Sequence, residues 1–166
     1  MDTELRQRLD AHREDLKMQY QLAGINELTV KDYVLGEMAS AIQTRHWQAW
    51  YTLFEMTCRI VDPELKADIL NHLLLMPGHQ LHQQVTREIQ WVASPSSIPY
   101  IRRVLERRLD FLQYTNSEQA VIATWFSHAL ASIGTPEALD LIDEFANCDD
   151  PGIAEEMNYR LQRLAE

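Results

Sequence analysis

Glycine and proline are scarce in this 166-residue chain, with 5 and 6 copies, and nearly all of them stand between apolar segments rather than inside them. That excludes collagen-like and low-complexity classes and leaves the segments free to be regular. Cysteine is scarcer still. Cys58 and Cys148 lie far apart with no C-x-x-C context, which argues against a disulfide framework or a cysteine zinc site and reads as two reduced, half-buried thiols. The longest uninterrupted apolar run, Leu73 to Pro77, is far too short to cross a bilayer, and the chain is charged from Asp2 onward without a signal-peptide core. The expectation is a soluble, cytoplasmic protein. Positive charge is also short, 15 Lys and Arg against 25 Asp and Glu, for a net charge of -10. Nucleic acid and anionic membranes reward lysine and arginine, so neither is expected as a direct partner. There is no phosphate loop, nucleophile elbow, dinucleotide fingerprint or zinc-protease helix. No enzyme, no catalytic residue, no cofactor and no metal are therefore expected.

What the chain does have is apolar residues recurring every three or four positions. Leu5, Leu9, Leu16 and Tyr20 predict a first helix over 3–22, and Val30, Tyr33, Val34, Met38, Ala41 and Ile42 a second. Trp47, Trp50, Tyr51, Phe54, Cys58 and Val61 give a third, aromatic stripe over 46–61. Asp62-Pro63 opens a fourth helix with Leu65, Ile69, Leu70, Leu73 and Leu74 inward, because aspartate accepts from the orphan amides and proline has none to orphan. Pro77-Gly78 stops it, and a fifth starts near Gln80, with Leu81, Val85, Ile89 and Val92 inward. Ser97-Ile98-Pro99 opens a sixth helix carrying Ile101, Val104, Leu105, Leu109 and Leu112. Ser117 caps a seventh carrying Val121, Trp125, Ala129, Leu130 and Ile133, which Gly134 ends. Thr135-Pro136 starts the eighth, and Asp150-Pro151 the ninth, with Ile153, Met157, Leu161 and Leu164 inward.

Pro63, Pro99 and Pro136 are spaced by 36 and 37 residues, with two amphipathic helices per interval. A helical hairpin cannot bury its own apolar face, so such a period calls for stacking. Leu130, Gly134, Pro136, Glu137, Ala138, Leu141 and Ile142, followed by Asp149, Pro151, Ile153 and Leu161, resemble HEAT-type repeats. The resemblance is good over roughly the last forty residues, weaker over 62–133, and rests on periodicity before that. It implies an all-α fold, a right-handed-type superhelix of antiparallel helix pairs with about nine helices. One domain over 1–166 would comprise an N-terminal cap (1–28), a helix pair (29–61) and repeat units at 62–94, 95–134 and 135–166. The family's general role is protein recognition on its curved faces, and no catalytic residue carries over. Where the family often has an arginine shortly after the start of the second helix, this chain has Glu155 and Glu156.

Charge is uneven. From Asn116 to Glu166 ten acidic residues stand against Arg160 and Arg163, whereas 95–115 carries Arg102, Arg103, Arg107 and Arg108, which most simply pair with acidic helices. Asp140, Asp143 and Glu144 fall opposite Leu141, Ile142 and Phe145, and Asp149, Asp150, Glu155 and Glu156 surround the start of the last helix. Asp150 is a capping residue. The others, Asp140, Asp143, Glu144, Asp149, Glu155 and Glu156, are the candidate partner-binding residues, since concentrated negative charge gains from a cationic partner. Trp50 and Tyr51 join them, because adjacent positions cannot both point inward and an aromatic at a rim anchors a partner. His72, His79 and His82 flank the Pro77-Gly78 turn, but their spacing is not that of a metal site and they read as surface or capping histidines. In size, acidity and lack of catalytic motifs the chain is similar to the immunity proteins that bacteria pair with toxic effectors. That similarity implies an inhibitor that neutralises a basic toxin, for example a nuclease, by direct binding; the alternative is a HEAT-like adaptor or assembly scaffold.

Overall fold

The computed structural model describes residues 30–107, 110–115 and 118–166, and every regular element among them is helical. The expected first helix over 3–22 lies outside those residues, as does Ser117, the expected cap of the seventh helix. The described residues divide into two compact units, 30–59 and 60–166.

In the first unit, α1 (Val30–Gln43) packs on α2 (Trp47–Cys58). Val34, Met38 and Ala41 from α1 and Trp50, Leu53 and Met56 from α2 are buried, the three-and-four spacing expected of amphipathic helices. Trp50 stacks on Phe54 with ring centroids 5.7 Å apart and meets Tyr51 edge-on at 6.3 Å. The aromatic stripe is not wholly core: Trp47 and Tyr51 are exposed, and so is Val61, which was expected to continue it; Tyr33 of α1, expected inward, is exposed as well. The helix ends at Cys58 because Arg59 closes it and the chain must leave in time for Asp62 to cap the next one.

Among its described residues the second unit has six α-helices. They are α3 (Pro63–Leu75), α4 (His82–Val92), α5 (Ile98–Glu106), α6 (Gln119–Ile133), α7 (Pro136–Ala146) and α8 (Pro151–Leu164). Three of these starts are capped by a side chain. Asp62 Oδ1 accepts from the amides of Glu64 and Leu65 at 2.9 Å, and Asp150 Oδ1 from those of Gly152 and Ile153 at 3.1 Å, in both cases with proline in the first turn. Thr135 caps α7 in the same way, accepting from Ala138. Gly134, at φ +65°, closes α6 in the left-handed region; Ala93, at φ +53°, closes α4 there without glycine's freedom.

The helices pair in sequence, α3 with α4, α5 with α6 and α7 with α8. The first members contact one another in series, α3 to α5 to α7, and the second members do the same, α4 to α6 to α8. Two layers result, with an apolar interior between them that includes Leu70, Leu73 and Leu74 of α3, Ile89 of α4, Ile101 of α5, Phe126 and Leu130 of α6, Leu141 of α7 and Met157 of α8, all fully buried. Close packing brings the backbone of α8 against α6: a Cβ on Gly152 would lie 3.1 Å from Ala120 N and Gln119 Cβ.

Several expected positions shift. α5 stops at Glu106 and a short 3-10 helix, Asp110–Thr115, follows, so Leu112 is buried from that segment and not from a long α5. On α6 the inward residues are Ile122, Ala123, Phe126, Ala129 and Leu130; Val121 is exposed and Trp125 half-buried, because the stripe is rotated by one position. Leu164, at the C-terminal end of α8, is exposed.

Candidate functional site

Helix α7 lays Leu141, Ile142, Phe145 and Ala146 into the core and therefore holds Glu137, Asp140, Asp143 and Glu144 in solvent. Asp149, in the turn to α8, is also exposed, as is Glu155 on α8. Asp140, Asp143, Asp149 and Glu155 make no ion pair with another described residue.

The two remaining carboxylates of the expected set are engaged. Glu144 takes a two-pronged contact from Arg102 of α5, Nη1 to Oε1 at 2.6 Å and Nη2 to Oε2 at 2.7 Å, while Glu106 approaches the same guanidinium at 3.8 Å. Hydrogen bonding from Arg102 holds the Glu144 carboxyl below its ordinary range, and the reciprocal bond raises Arg102. The expectation that the arginine-rich stretch pairs with an acidic helix is met at this point.

Glu156 differs more. Its side chain is only 11% exposed and points at α6, not at solvent. Oε1 accepts from Ser127 Oγ at 2.5 Å and from Arg160 Nη2 at 3.2 Å, and Oε2 accepts from Thr124 Oγ1 at 3.1 Å. Arg160 also donates through Nε to Ser127 Oγ at 3.2 Å and through Nη2 to His128 Nε2 at 2.9 Å. Glu156 is therefore a bolt between α8 and α6, not part of an acidic face. The i, i+4 spacing of Glu156 and Arg160, with the acid N-terminal, was the available signal for it. Trp50 is likewise withdrawn at 1% exposed, leaving Tyr51, 49% exposed, as the surface aromatic of that pair. The expected set thus falls in two units, with six of its members on α7, α8 and the turn between them.

The histidines are interior groups. His79 and His82 are 2% and 1% exposed and stack with ring centroids 3.8 Å apart. His79 Nε2 donates to Leu73 O at 2.9 Å and Nδ1 accepts from the Leu81 amide at 3.1 Å. His82 Nε2 donates to Met76 O at 3.2 Å, and Nδ1 accepts from the Tyr114 hydroxyl at 3.0 Å. Every ring nitrogen serves the end of α3, the turn after it or the 3-10 segment, so these rings cap a helix instead of binding a metal. Burial drives both toward the neutral form, and with His79 alongside, the His82 pKa falls to about 3. His72 sits apart, with Nδ1 2.7 Å from Asp68 O. No group of three His, Cys, Asp or Glu that could hold a metal occurs among the described residues.

Two surface clefts of about 300 Å³ are present in the second unit. One lies beside the α7–α8 turn, where Glu106, Asp149 and Asp150 surround Cys148. The other lies between α4 and α6, lined by Gln83, Gln84, Arg87 and Gln90 among others, and was missed in the sequence, where that helix was read only by its apolar positions. Comparison with protein-family models, curated proteins and solved structures gives no match for this chain.

Proposed function

We propose that this chain is a protein-binding module, a HEAT-like solenoid of helix pairs whose α7 surface takes a basic partner protein. On this reading it is an inhibitor of the immunity type, neutralising a cationic toxin such as a nuclease by direct binding, with no catalysis of its own. The single observation that carries it is the α7 face. Glu137, Asp140, Asp143 and Glu144 are all exposed on one short helix, and among them only Glu144 has an arginine partner among the described residues. Like charges three and four positions apart on a helix repel by a few tenths of a kcal/mol each, a cost that a cationic partner surface relieves. The serial packing of α3, α5 and α7 against α4, α6 and α8 supports the solenoid reading, since each pair is covered by the next.

The adaptor reading keeps one observation of its own: Trp47 and Tyr51 are exposed on α2, at 41% and 49%, which offers an aromatic anchor outside the acidic surface. Affinity capture from the native cell, followed by titration of the captured protein, separates the two. An inhibitor gives a one-to-one complex whose association slows steeply with salt and is weakened by Asp140→Lys, Asp143→Lys and Asp149→Lys. Unchanged affinity in that triple variant, with loss on Tyr51→Ala, replaces the inhibitor with the adaptor.

A further inference from the structure

The cleft between α4 and α6 has a chemistry unlike the rest of the chain. Helix α4 contributes Gln83, Gln84, Arg87 and Gln90 to its wall, and α6 contributes Trp125 and His128. No carboxylate lines it, in a protein with 25 acidic residues and a net charge of -10. The two threonines in the wall are already committed: Thr86 donates to His82 O at 2.8 Å, and Thr124 to Ala120 O and Glu156. The remaining wall residues carry one cation and several neutral hydrogen-bonding groups. Arg87 is a fixed cation, steadied over the exposed Trp91 ring with its guanidinium carbon 5.5 Å from the centroid. Arginine can only donate, so the 2.9 Å contact from Arg160 makes His128 Nε2 an acceptor and leaves the ring proton on Nδ1 as a donor. Burial and the Arg160 charge both lower the His128 pKa, in keeping with that neutral tautomer. The indole N–H of Trp125 is also a donor, and the three glutamine amides offer one carbonyl and one amino group each.

From this we infer that the α4–α6 cleft binds a short extended peptide segment bearing carboxylate side chains. Size and pattern argue for a peptide over a compact metabolite. Gln83 to Gln90 covers about 10 Å along α4 at 1.5 Å per residue, the span of about three residues of extended chain at 3.3 Å each. An extended backbone presents N–H and C=O groups in alternation, and carboxamides are the side chains that can meet both. Arg87 fixes a carboxylate, and the Trp125 face takes the aliphatic stem beside it. This inference is independent of the α7 reading, since the two surfaces lie on different layers of helices.

The test is a titration of the full chain, followed by amide chemical shifts, with three capped hexapeptides that differ only in charge: Ac-TETETE-NH2, Ac-TQTQTQ-NH2 and Ac-TKTKTK-NH2. Threonine favours the extended backbone in all three and keeps every N–H. The glutamate peptide is expected to move resonances in 83–91 and 121–128, with Arg87→Ala weakening it about tenfold or more and the lysine peptide producing no shift there. Arg87 is exposed, so its loss leaves the fold intact; Gln84→Ala is a second variant expected to weaken the same peptide severalfold. The inference is overturned if no cleft resonance moves at millimolar glutamate peptide, or if the lysine peptide binds equally well. It also fails if citrate or inorganic phosphate reproduces the shifts at equal concentration, which makes the cleft a small-anion site, or if oligo(dT) outcompetes the peptide, which makes it a nucleic-acid surface.

Discussion

Asp143 on α7 and Glu156 on α8 look interchangeable as acidic residues of one charged stretch, yet the fold gives them opposite work. Asp143 stands in water with no ion pair among the described residues, while Glu156 is nearly buried and accepts from Ser127, Thr124 and Arg160 at once. The contrast extends to the layers that carry them. The α7 surface is a set of carboxylates held outward, whereas Glu156 and Arg160 on the α6–α8 side are tied to each other and to α6, and the open α4–α6 cleft is lined by Arg87 and carboxamides without a carboxylate. A carboxylate count in the sequence measures neither availability nor role; the helix face and its neighbours decide both.

The largest test of the contrast is substitution of the two acids. Glu156→Ala leaves Arg160 mostly buried without its carboxylate and should cost about 2–4 kcal/mol in urea unfolding, while Asp143→Ala should stay within about 0.5 kcal/mol. Comparable effects at the two sites would mean that Glu156 is not the bolt described.

Next comes pH, which acts on the α3–α4 connection. His82 has a folded pKa of about 3 against an ordinary 6.5, so the unfolded chain binds the proton first as pH falls. Its contribution is full above pH 6.5 and declines by about 1.4 kcal/mol per pH unit down to the folded value, roughly 2.7 kcal/mol by pH 4.5. His79, lowered in the same direction, steepens that fall. Replacing His82 with glutamine should flatten the stability profile over this range, as followed by chemical denaturation at several pH values.

Smaller effects sharpen the edges. Gly134→Ala places a Cβ at φ +65° and should cost about 1 kcal/mol, and Ala93→Gly, relieving the same backbone region at the end of α4, should gain about 0.5–1 kcal/mol; thermal unfolding reads both. Smallest is Arg102→Ala. Although its contact with Glu144 is bidentate, both side chains are well exposed, at 39% and 53%, so the loss should lie at or below about 1 kcal/mol.

Much of the helical framework was legible because its punctuation is chemical: Asp62-Pro63, Thr135-Pro136 and Asp150-Pro151 each satisfy orphan amides exactly where a helix begins, and Gly134 supplies the one residue type that ends α6 without strain. Spacing alone misjudged the faces where two apolar registers compete. Val121 and Trp125 fit a three-and-four pattern as well as Ile122, Phe126 and Leu130 do, and only packing against the neighbouring helices, chiefly α8 and α4, selects the second set. Polar function was harder to read, because hydrogen bonds join distant residues: nothing local marks Ser127 as the partner of Glu156, or Tyr114 as the hydroxyl that serves His82.

The central claim, that the exposed carboxylates of α7 form the partner surface, is tested most directly by charge reversal against the captured partner. Affinity should fall at least tenfold, with a shallower salt dependence, when Asp140 and Asp143 are both changed to lysine, and should hold when Arg87 is changed to glutamate. Full affinity in the first variant, or a loss confined to the second, contradicts it.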